Sequence, residues 1–311
     1  MRLLVTGAAG FIGSALVEAA LAAGHEVLSF DALLRAGRLE NLAAVRSTPR
    51  HRFVKGDVRD AAAVAAAFEI ARPDAVLHLA AESHVDVSIA SPTPCVSTNV
   101  CGTLTLLEAS LAWWRKRGRP AHFRFLQVST DEVFGALGPQ DPPFTEESPC
   151  RPSSPYAASK AAADHLALAW FRTWGLPVIV THGTNTYGPR QHREKLIPRA
   201  ITAALAGRPI PLYGSGAQIR DWIHVEDHAR ALLAALASAA PGRRWLIGAR
   251  NELANRVLVG RICALLDEAR PACAPHARLI RHVADRPGHD FRYAVDPRAF
   301  MAQPDGRRQF P

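Results

Sequence analysis

Two short stretches of the chain hold side chains suited to a reaction. In "RFLQVSTDEVFG" a hydrophobic run ends in Ser129, Thr130, Asp131 and Glu132 before Gly135 turns the chain. Solvation could account for either acid, because loops are polar. A hydroxyl followed by two carboxylates at the carboxyl end of a strand, however, is where open α/β sheets place their chemistry. In "SPYAASK", Tyr156 and Lys160 are four residues apart, so on a helix both project from one face. A lysine ammonium and the positive ring of a nicotinamide would both favour phenolate. Together they would bring a tyrosine pKa of about 10 toward neutrality and let the side chain act as a base. YxxxK recurs by chance, so its weight comes from what accompanies it.

The accompaniment begins at the amino terminus. "TGAAGFIG" places Gly7, Gly10 and Gly13 between a first strand and a first helix, with Phe11 and Ile12 inside the turn. Glycines there allow a tight turn and close backbone approach, and the helix amino terminus attracts a pyrophosphate. Asp31 ends the next strand about 20 residues on, where a carboxylate binds an adenosine ribose diol and repels a 2′-phosphate. The alternative for Asp31 is a turn or cap residue. NAD is therefore expected rather than NADP. Asp57 and Val58, after the third strand, and Ala80, after the fourth, complete the candidate cofactor set, while Asp60 reads as a helix N-cap.

The elements that must position these residues alternate. "RLLVTG", "HEVLSFD", "HRFVKGD", "DAVLHLA", "HFRFLQVS" and "LPVIVTHG" read as strands. Between them lie helical stretches: "FIGSALVEAALAAG", "RLENLAAVR", "AAAVAAAFEIA", a long helix over residues 96–117, and "SPYAASKAAADHLALAWFRTWG". Strands alternating with helices imply right-handed crossovers, hence an α/β fold with a doubly wound parallel sheet of Rossmann type. This region runs from residue 1 to 182. A smaller mixed region, 183–311, is expected to bind substrate, with some segments packing back on the first. It holds helices near "VEDHARALLAALASA" and "NRVLVGRICALLDEA" and a strand "RRWLIG".

Composition narrows the class. Of 311 residues, 48% are hydrophobic and 21% charged, which is ordinary globular composition. No run of about 18 apolar residues occurs, so no membrane span is expected, and the chain reads as soluble and cytoplasmic. Five scattered cysteines include no CxxC pair, and thirteen histidines include no close ligand pair on a helix, so no metal is assigned. A net charge of +9 would suit nucleic acid or an anionic substrate. The densest basic run, residues 115–119, follows a helix and lacks interleaved aromatics; it reads as a solvated helix end, and no nucleic-acid partner is assigned.

Taken together, the chain resembles the extended short-chain dehydrogenases/reductases, and within them the dTDP-glucose 4,6-dehydratases. The resemblance is carried by "TGAAGFIGS", "HLAAESHVDVS", "TNVCGTLTLLEA", "STDEVFG", "PSSPYAASKAAADHL", "EKLIPRAI", "YGSGAQIRDWIHVEDHARA" and "DRPGHDFRYAVD", in order along nearly the whole chain. It implies that Tyr156 takes the proton of the sugar 4-hydroxyl while NAD accepts the C4 hydride. Thr130 would bond the same oxygen and Lys160 the nicotinamide ribose. Glu132 would then remove the C5 proton, Asp131 protonate the departing C6 hydroxyl, and the hydride return to C6. Neighbouring carboxylates in a dry cleft resist simultaneous ionisation, which splits them into one acid and one base. For the nucleotide diphosphate the resemblance points to Arg220, a guanidinium fork suited to phosphate oxygens, whose alternative is a salt bridge with Asp221. Ser83, beside Glu82 at a strand end, and Asn185, Lys195, Asn255 and His289 match substrate-side segments. Asn99 reads equally as structural support. A homodimer is expected, since the helices over 96–117 and 155–174 carry apolar residues on several faces and the resemblance pairs them into a four-helix bundle.

Some positions depart from the pattern. Phe134 stands for Tyr, Leu34-Arg35 for Thr-Tyr, and Arg193 for Pro. After "RYAVDPRAF" the resemblance implies a Leu-Gly-Trp segment and a closing helix where this chain reads "MAQPDGRRQFP", so weaker packing on the substrate region is expected. Three alternatives remain open: a UDP-sugar 4-epimerase, against which the Asp131-Glu132 pair argues; a UDP-glucose 4,6-dehydratase; and a non-catalytic nucleotide-binding scaffold.

Overall fold

Runs rich in Leu, Val, Ile and Phe form the first six strands of the protein, seen in a computed structural model that describes residues 1–303. They are β1 (Arg2–Thr6), β2 (Glu26–Asp31), β3 (His51–Lys55), β4 (Ala75–His78), β5 (Arg124–Thr130) and β6 (Val178–Gly183). The helices between them are α1 (Phe11–Ala22), α2 (Ala61–Ala71), the short α3 (Val85–Ala90) and α4 (Pro92–Val96), then α5 (Gly102–Lys116) and α6 (Pro155–Trp174). Beyond follow β7 (Asn185–Tyr187), α7 (Leu196–Leu205), β8 (Ile210–Tyr213), β9 (Ile219–His224), α8 (Val225–Ser238) and β10 (Arg244–Ile247). The last are β11 (Glu252–Ala254), α9 (Asn255–Ala269), β12 (Ile280–Val283) and α10 (Arg298–Met301).

Seven parallel strands make the central sheet in the order β10-β6-β5-β4-β1-β2-β3. One face is covered by α1 and α8 around Leu16, Val17, Leu232 and Ala235; the other by α2, α5 and α6 around Phe68, Leu107, Trp114 and Leu168. Burial on both faces explains why these strands read as continuous apolar runs. The order reverses between β1 and β4, and a crevice outside the strand ends at such a switch point is where open sheets bind ligands. Gly7 leaves β1 there, Ala80 follows β4, and Thr130 ends β5.

The segments after residue 182 divide. Strand β10 pairs with β6, which would otherwise be an open edge, and α8 packs on α1. A three-stranded sheet β11-β9-β7, a β12-β8 pair and the helices α7 and α9 build the smaller region over the strand ends.

Two local expectations are corrected. The helix expected over "RLENLAAVR" is a single 3₁₀ turn, Leu39–Leu42, followed by turns. The Arg38 amide and Asn41 Nδ2 both donate to Ala9 O, at 3.0 and 2.8 Å, and tie this segment to the glycine turn. The long helix is interrupted by a π-helical turn, Ser97–Cys101, which joins α4 to α5 and carries Asn99. At the end of α5, Arg117 and Arg119 lie over Trp113 and Trp114, 5.4 and 5.8 Å from the ring centroids, so that basic run clothes the helix end. All but the first three residues of the divergent "MAQPDGRRQFP" segment lie outside the described residues.

Candidate active site

The glycine turn is sterically fixed. Gly7 has φ of +67°, and a Cβ there would lie 2.6 Å from the Ala80 amide nitrogen. A Cβ on Gly13 would come within 2.1 Å of Gly7 O, so α1 can start this close to β1 only without a side chain. Helix α1 has no side-chain N-cap and no acid in its first turn. Its first amides, from Phe11, Ile12 and Gly13, stand at a cavity of about 250 Å³ that these residues line. An uncapped helix amino terminus with glycine-lined access fits a pyrophosphate. Asp31 accepts from the Ala9 amide at 2.9 Å and the Leu33 amide at 2.8 Å, so it also serves as the turn residue the alternative reading supposed. A carboxylate has further lone pairs, and Asp31 lines a second cavity with Asp57, Val58 and Ala80, which fits the adenosine. Burial raises the Asp31 carboxyl pKa, opposed by those two amides. Asp57 is held below the usual range by Arg59, whose guanidinium lies 2.6 Å away. Asp60 caps α2 by accepting from the Ala62 and Ala63 amides. Replacing Asp31 by Ala is expected to weaken NAD binding by roughly 1–3 kcal/mol, read by calorimetric titration of stripped protein; an unchanged affinity would leave Asp31 a turn residue only.

Thr130, Asp131, Glu132, Tyr156 and Lys160 line the 250 Å³ cavity together. The 3₁₀ turn Asp131–Phe134 that follows β5 is capped by Thr130, whose hydroxyl accepts from the Glu132 amide at 3.4 Å and donates to Asp131 Oδ1 at 3.3 Å. Asp131 is 1% exposed and its Oδ2 has no partner among the described residues. Burial, then the charges of Glu132 and Asp221, push its carboxyl well above the usual range against the pull of Arg220. Burial also raises Glu132, but Arg286, Lys195 and Arg220 oppose it. Burial and its neighbours thus push the Asp131 carboxyl up further than that of Glu132, which has three cations opposing the rise.

Tyr156 departs from its expected behaviour. Burial and the charges of Glu132, Cys95 and Asp131 push the phenol well above its usual value, and Lys160 is not among the influences that lower it. The Lys160 ammonium donates to Val128 O at 2.7 Å, and burial lowers its pKa. The chain by itself therefore keeps Tyr156 protonated, and favouring phenolate needs the further positive charge of a nicotinamide ring.

A third cavity, of about 160 Å³, is lined by Asn185, Lys195, Arg220, Asn255 and His289; Asn185 and Lys195 line the catalytic cavity as well and join the two. Ser83 lines the cofactor and catalytic cavities instead, and its carbonyl accepts from Lys195 Nζ at 2.9 Å. Arg220 makes no salt bridge with Asp221, because neighbouring residues on a strand point to opposite faces. Asp221 takes the amides of Ala249, Arg250 and Asn251, whereas Arg220 donates to Ile219 O and Asp290 O and lies over Tyr293 at 4.2 Å. Part of its fork remains for a ligand. Asn255 Oδ1 is buried without a partner among the described residues, and His289 Nδ1 lies 2.5 Å from Asp285 Oδ1.

Sequence reasoning missed Arg286 and Glu194. Arg286 lines the third cavity, bridges to Asp86 at 3.4 Å and is the largest opposing influence on Glu132. It lies in "DRPGHD", but only the fold brings it opposite β5. Glu194 Oε2 gathers Arg35 Nη2 at 3.0 Å, His84 Nε2 at 3.1 Å and His192 Nδ1 at 3.3 Å at the mouth of these cavities. This gives the Leu34-Arg35 departure a contact of its own. Asn99 proves to be support: its amide donates to Glu82 O at 3.0 Å and Ser159 Oγ at 2.8 Å, and its Oδ1 accepts from the Glu82 amide. Phe134 packs on Phe144 and His182, with centroids 5.1 and 4.9 Å away.

A glycine turn at the switch point, an acid ending β2, and a YxxxK helix beside a polar strand end define an extended short-chain dehydrogenase/reductase. A family model described as GDP-mannose 4,6 dehydratase matches residues 4–303. A probable dTDP-glucose 4,6-dehydratase of Sinorhizobium fredii is 51% identical, over 95% of this chain and 85% of its own. The dTDP-glucose 4,6-dehydratase of Neisseria meningitidis is also 51% identical, with the same coverage. Among solved structures, DesIV, a dTDP-glucose 4,6-dehydratase from Streptomyces venezuelae with NAD and dTDP bound, superposes with a TM-score of 0.89 at 45% identity, covering 98% of this chain and 91% of that one. A Thermus thermophilus UDP-glucose 4-epimerase in complex with NAD gives 0.85 at 33% identity, covering 97% and 92%. The chain belongs to the nucleotide-sugar 4,6-dehydratase family.

Proposed function

We propose that this chain is an NAD-dependent lyase that dehydrates dTDP-glucose to its 4-keto-6-deoxy sugar. The observation that carries the reading is the Asp131-Glu132 pair, held in one cavity with Tyr156 and Lys160 and split by its surroundings into an acid and a base. Bound NAD supplies the acceptor for the C4 hydride and its donor to C6. Gly7, Gly10 and Gly13 and the amides of α1 hold the pyrophosphate, Asp31 the ribose, and Val58 and Ala80 the adenine side. Tyr156 takes the proton of the sugar 4-hydroxyl. The ketone so formed acidifies C5, and Glu132 removes that proton. Asp131 delivers its proton to the C6 oxygen, which departs as water. Thr130 bonds the sugar 4-oxygen in this reading, giving up its contact with Asp131. Lys195, Asn185, Arg220, Asn255 and His289 receive the nucleotide diphosphate, and Ser83 faces the sugar. Incubation with dTDP-glucose, UDP-glucose and GDP-mannose in parallel tests this: 4-keto-6-deoxy product from dTDP-glucose alone is expected. UDP-galactose from UDP-glucose would favour the epimerase reading that the Thermus structure keeps in view.

A homodimer and a cytoplasmic location belong to the same proposal. Trp174 is exposed at the end of α6, with Leu104 on α5 and Leu166 and Trp170 on α6 half-buried, which supports pairing of α5 and α6 with their copies. Sedimentation is expected to give a two-chain species, and a stable active monomer would contradict it. All five cysteines are free, which suits a reducing compartment.

A further inference from the structure

A fourth cavity, of about 730 Å³, opens beside the other three and takes no part in the steps above. Separate stretches of chain build it: the loop after β2, the start of α3, the segment leading into α7 and α7 itself, β8 and β12. Arginine is its most frequent lining residue. Arg35, Arg193, Arg199, Arg208 and Arg281 stand against two carboxylates, Asp86 and Glu194. Two of these arginines, Arg35 and Arg193, occupy positions where the sequence departs from the family pattern, and both departures bring positive charge to this one cavity.

Both carboxylates are already engaged. Asp86 bridges to Arg286, which does not line this cavity, and Glu194 bridges to Arg35. Arg193, Arg199, Arg208 and Arg281 make no salt bridge among the described residues. Arg281 Nη1 donates to the carbonyls of Arg278 and Ile280, at 2.6 and 2.9 Å, which leaves the rest of its fork available. In the β8–β12 pair Arg281 lies beside Pro211, and on α7 Arg199 and Thr202 are three apart and share a face. The cavity is distinct from the one assigned to the nucleotide diphosphate: Asn185, Lys195, Arg220, Asn255 and His289 do not line it. The two share a wall that includes Glu194, Arg199 and Pro211.

We infer that this cavity is a second anion site, for a ligand that carries a diphosphate group and binds beside the substrate rather than in its place. Each arginine taken singly could be a solvated surface side chain, since Arg193, Arg199, Arg208 and Arg281 are all exposed. Four uncompensated guanidiniums around one concavity are different, because like charges so gathered repel and an anion among them relieves that repulsion. Guanidinium forks match pairs of phosphate oxygens, and several forks suit two adjoining phosphates. The volume falls in the range of small-molecule sites, about 300–1,000 Å³. Pro209, Pro211 and Val283 supply apolar lining for whatever the diphosphate is attached to. The inference goes beyond the function proposed above and concerns binding alone.

The test compares wild type with the double variant Arg193→Ser/Arg208→Ser. Neither arginine lines the cofactor, catalytic or nucleotide cavity, so NAD content and product formation are expected to stay as they are. Equilibrium dialysis of the NAD-loaded chain, against inorganic pyrophosphate and separately against dTDP, counts ligand bound per chain. Wild type is expected to take up one equivalent more than the variant, whose affinity at this site falls by about tenfold or more. Equal affinity for the two ligands would assign recognition to the diphosphate itself, and tighter dTDP would add the nucleoside to what is recognised; either supports the site. Arg52→Ser/Arg115→Ser removes the same charge from exposed positions that line none of these cavities, and is expected to bind as wild type does. Equal uptake by wild type and Arg193→Ser/Arg208→Ser, or an equal loss in that control, would overturn the inference. Retention of an oligo-glutamate peptide with no extra uptake of either diphosphate would assign the cavity to an acidic protein segment and overturn it as well. Should the double variant not fold, Arg208→Gln alone carries the same comparison. Failure of the proposed reaction is read separately, as wild-type protein that forms no product, and leaves these counts intact.

Discussion

Glu132→Gln is expected to stop the reaction after its first half. The amide keeps the shape of the side chain but cannot accept the C5 proton, so the C4 oxidation by Tyr156 survives while elimination fails. On mixing with dTDP-glucose, the variant should accumulate NADH absorbance and form 6-deoxy product more slowly by about 10²–10⁴-fold, the range of a lost general base. The pH dependence follows from the same surroundings. Burial raises Glu132, so the wild-type rate should fall on the acid side as the carboxylate takes a proton at a higher pH than a free glutamate does. On the alkaline side the rate should fall as Asp131, raised further, loses the proton it must deliver. Turnover of Glu132→Gln at the wild-type rate, or a fully oxidised cofactor with substrate bound, would remove Glu132 from this role.

Tyr156→Phe is expected to fail one step earlier. With no hydroxyl to take the 4-hydroxyl proton, hydride transfer from C4 is blocked and the cofactor stays oxidised, with a loss of about 10²–10⁴-fold in product formation. The protein should nonetheless fold and bind nucleotide sugar, because the ring packs among Val85, Ile89 and Cys95 and only the hydroxyl is lost. The two variants therefore leave opposite spectra under the same conditions. Accumulation of reduced cofactor by Tyr156→Phe would show that another group takes the first proton. Asp131→Asn should lie between them, exchanging C5 hydrogen with deuterated solvent while releasing the C6 hydroxyl slowly.

Much of this could be read from local sequence because the relevant physics is local. A strand buried on both faces must be apolar throughout, and a glycine at φ of +67° or within 2.1 Å of a carbonyl admits no replacement, so β1, α1 and the turn between them are legible letter by letter. The helical spacing of Tyr156 and Lys160 sets them on one face before any packing is known. Asp60 needed only its place ahead of an alanine-rich helix to be read as a cap. The helix expected over "RLENLAAVR" failed because the Arg38 amide and the Asn41 side chain answer to Ala9 O, a partner distant in sequence.

What the tertiary structure alone decided is how charges face one another across the sheet ends. Asp131 and Glu132 are chemically similar neighbours; the proposed acid and base roles differ because Asp131 is fully buried and feels the charge of Asp221, while Arg286 and Lys195 oppose the rise of Glu132 from the smaller region. Arg220 and Asp221 are adjacent in sequence yet serve different partners, since strand β9 turns them to opposite sides. The seventh strand came from beyond residue 182, because β6 needed an edge partner and β10 provided one. The sequence determined the glycine turn and the side chains proposed for catalysis. Their proton affinities depended on burial and on charges brought together from residues far apart in the chain, and no local pattern encodes those.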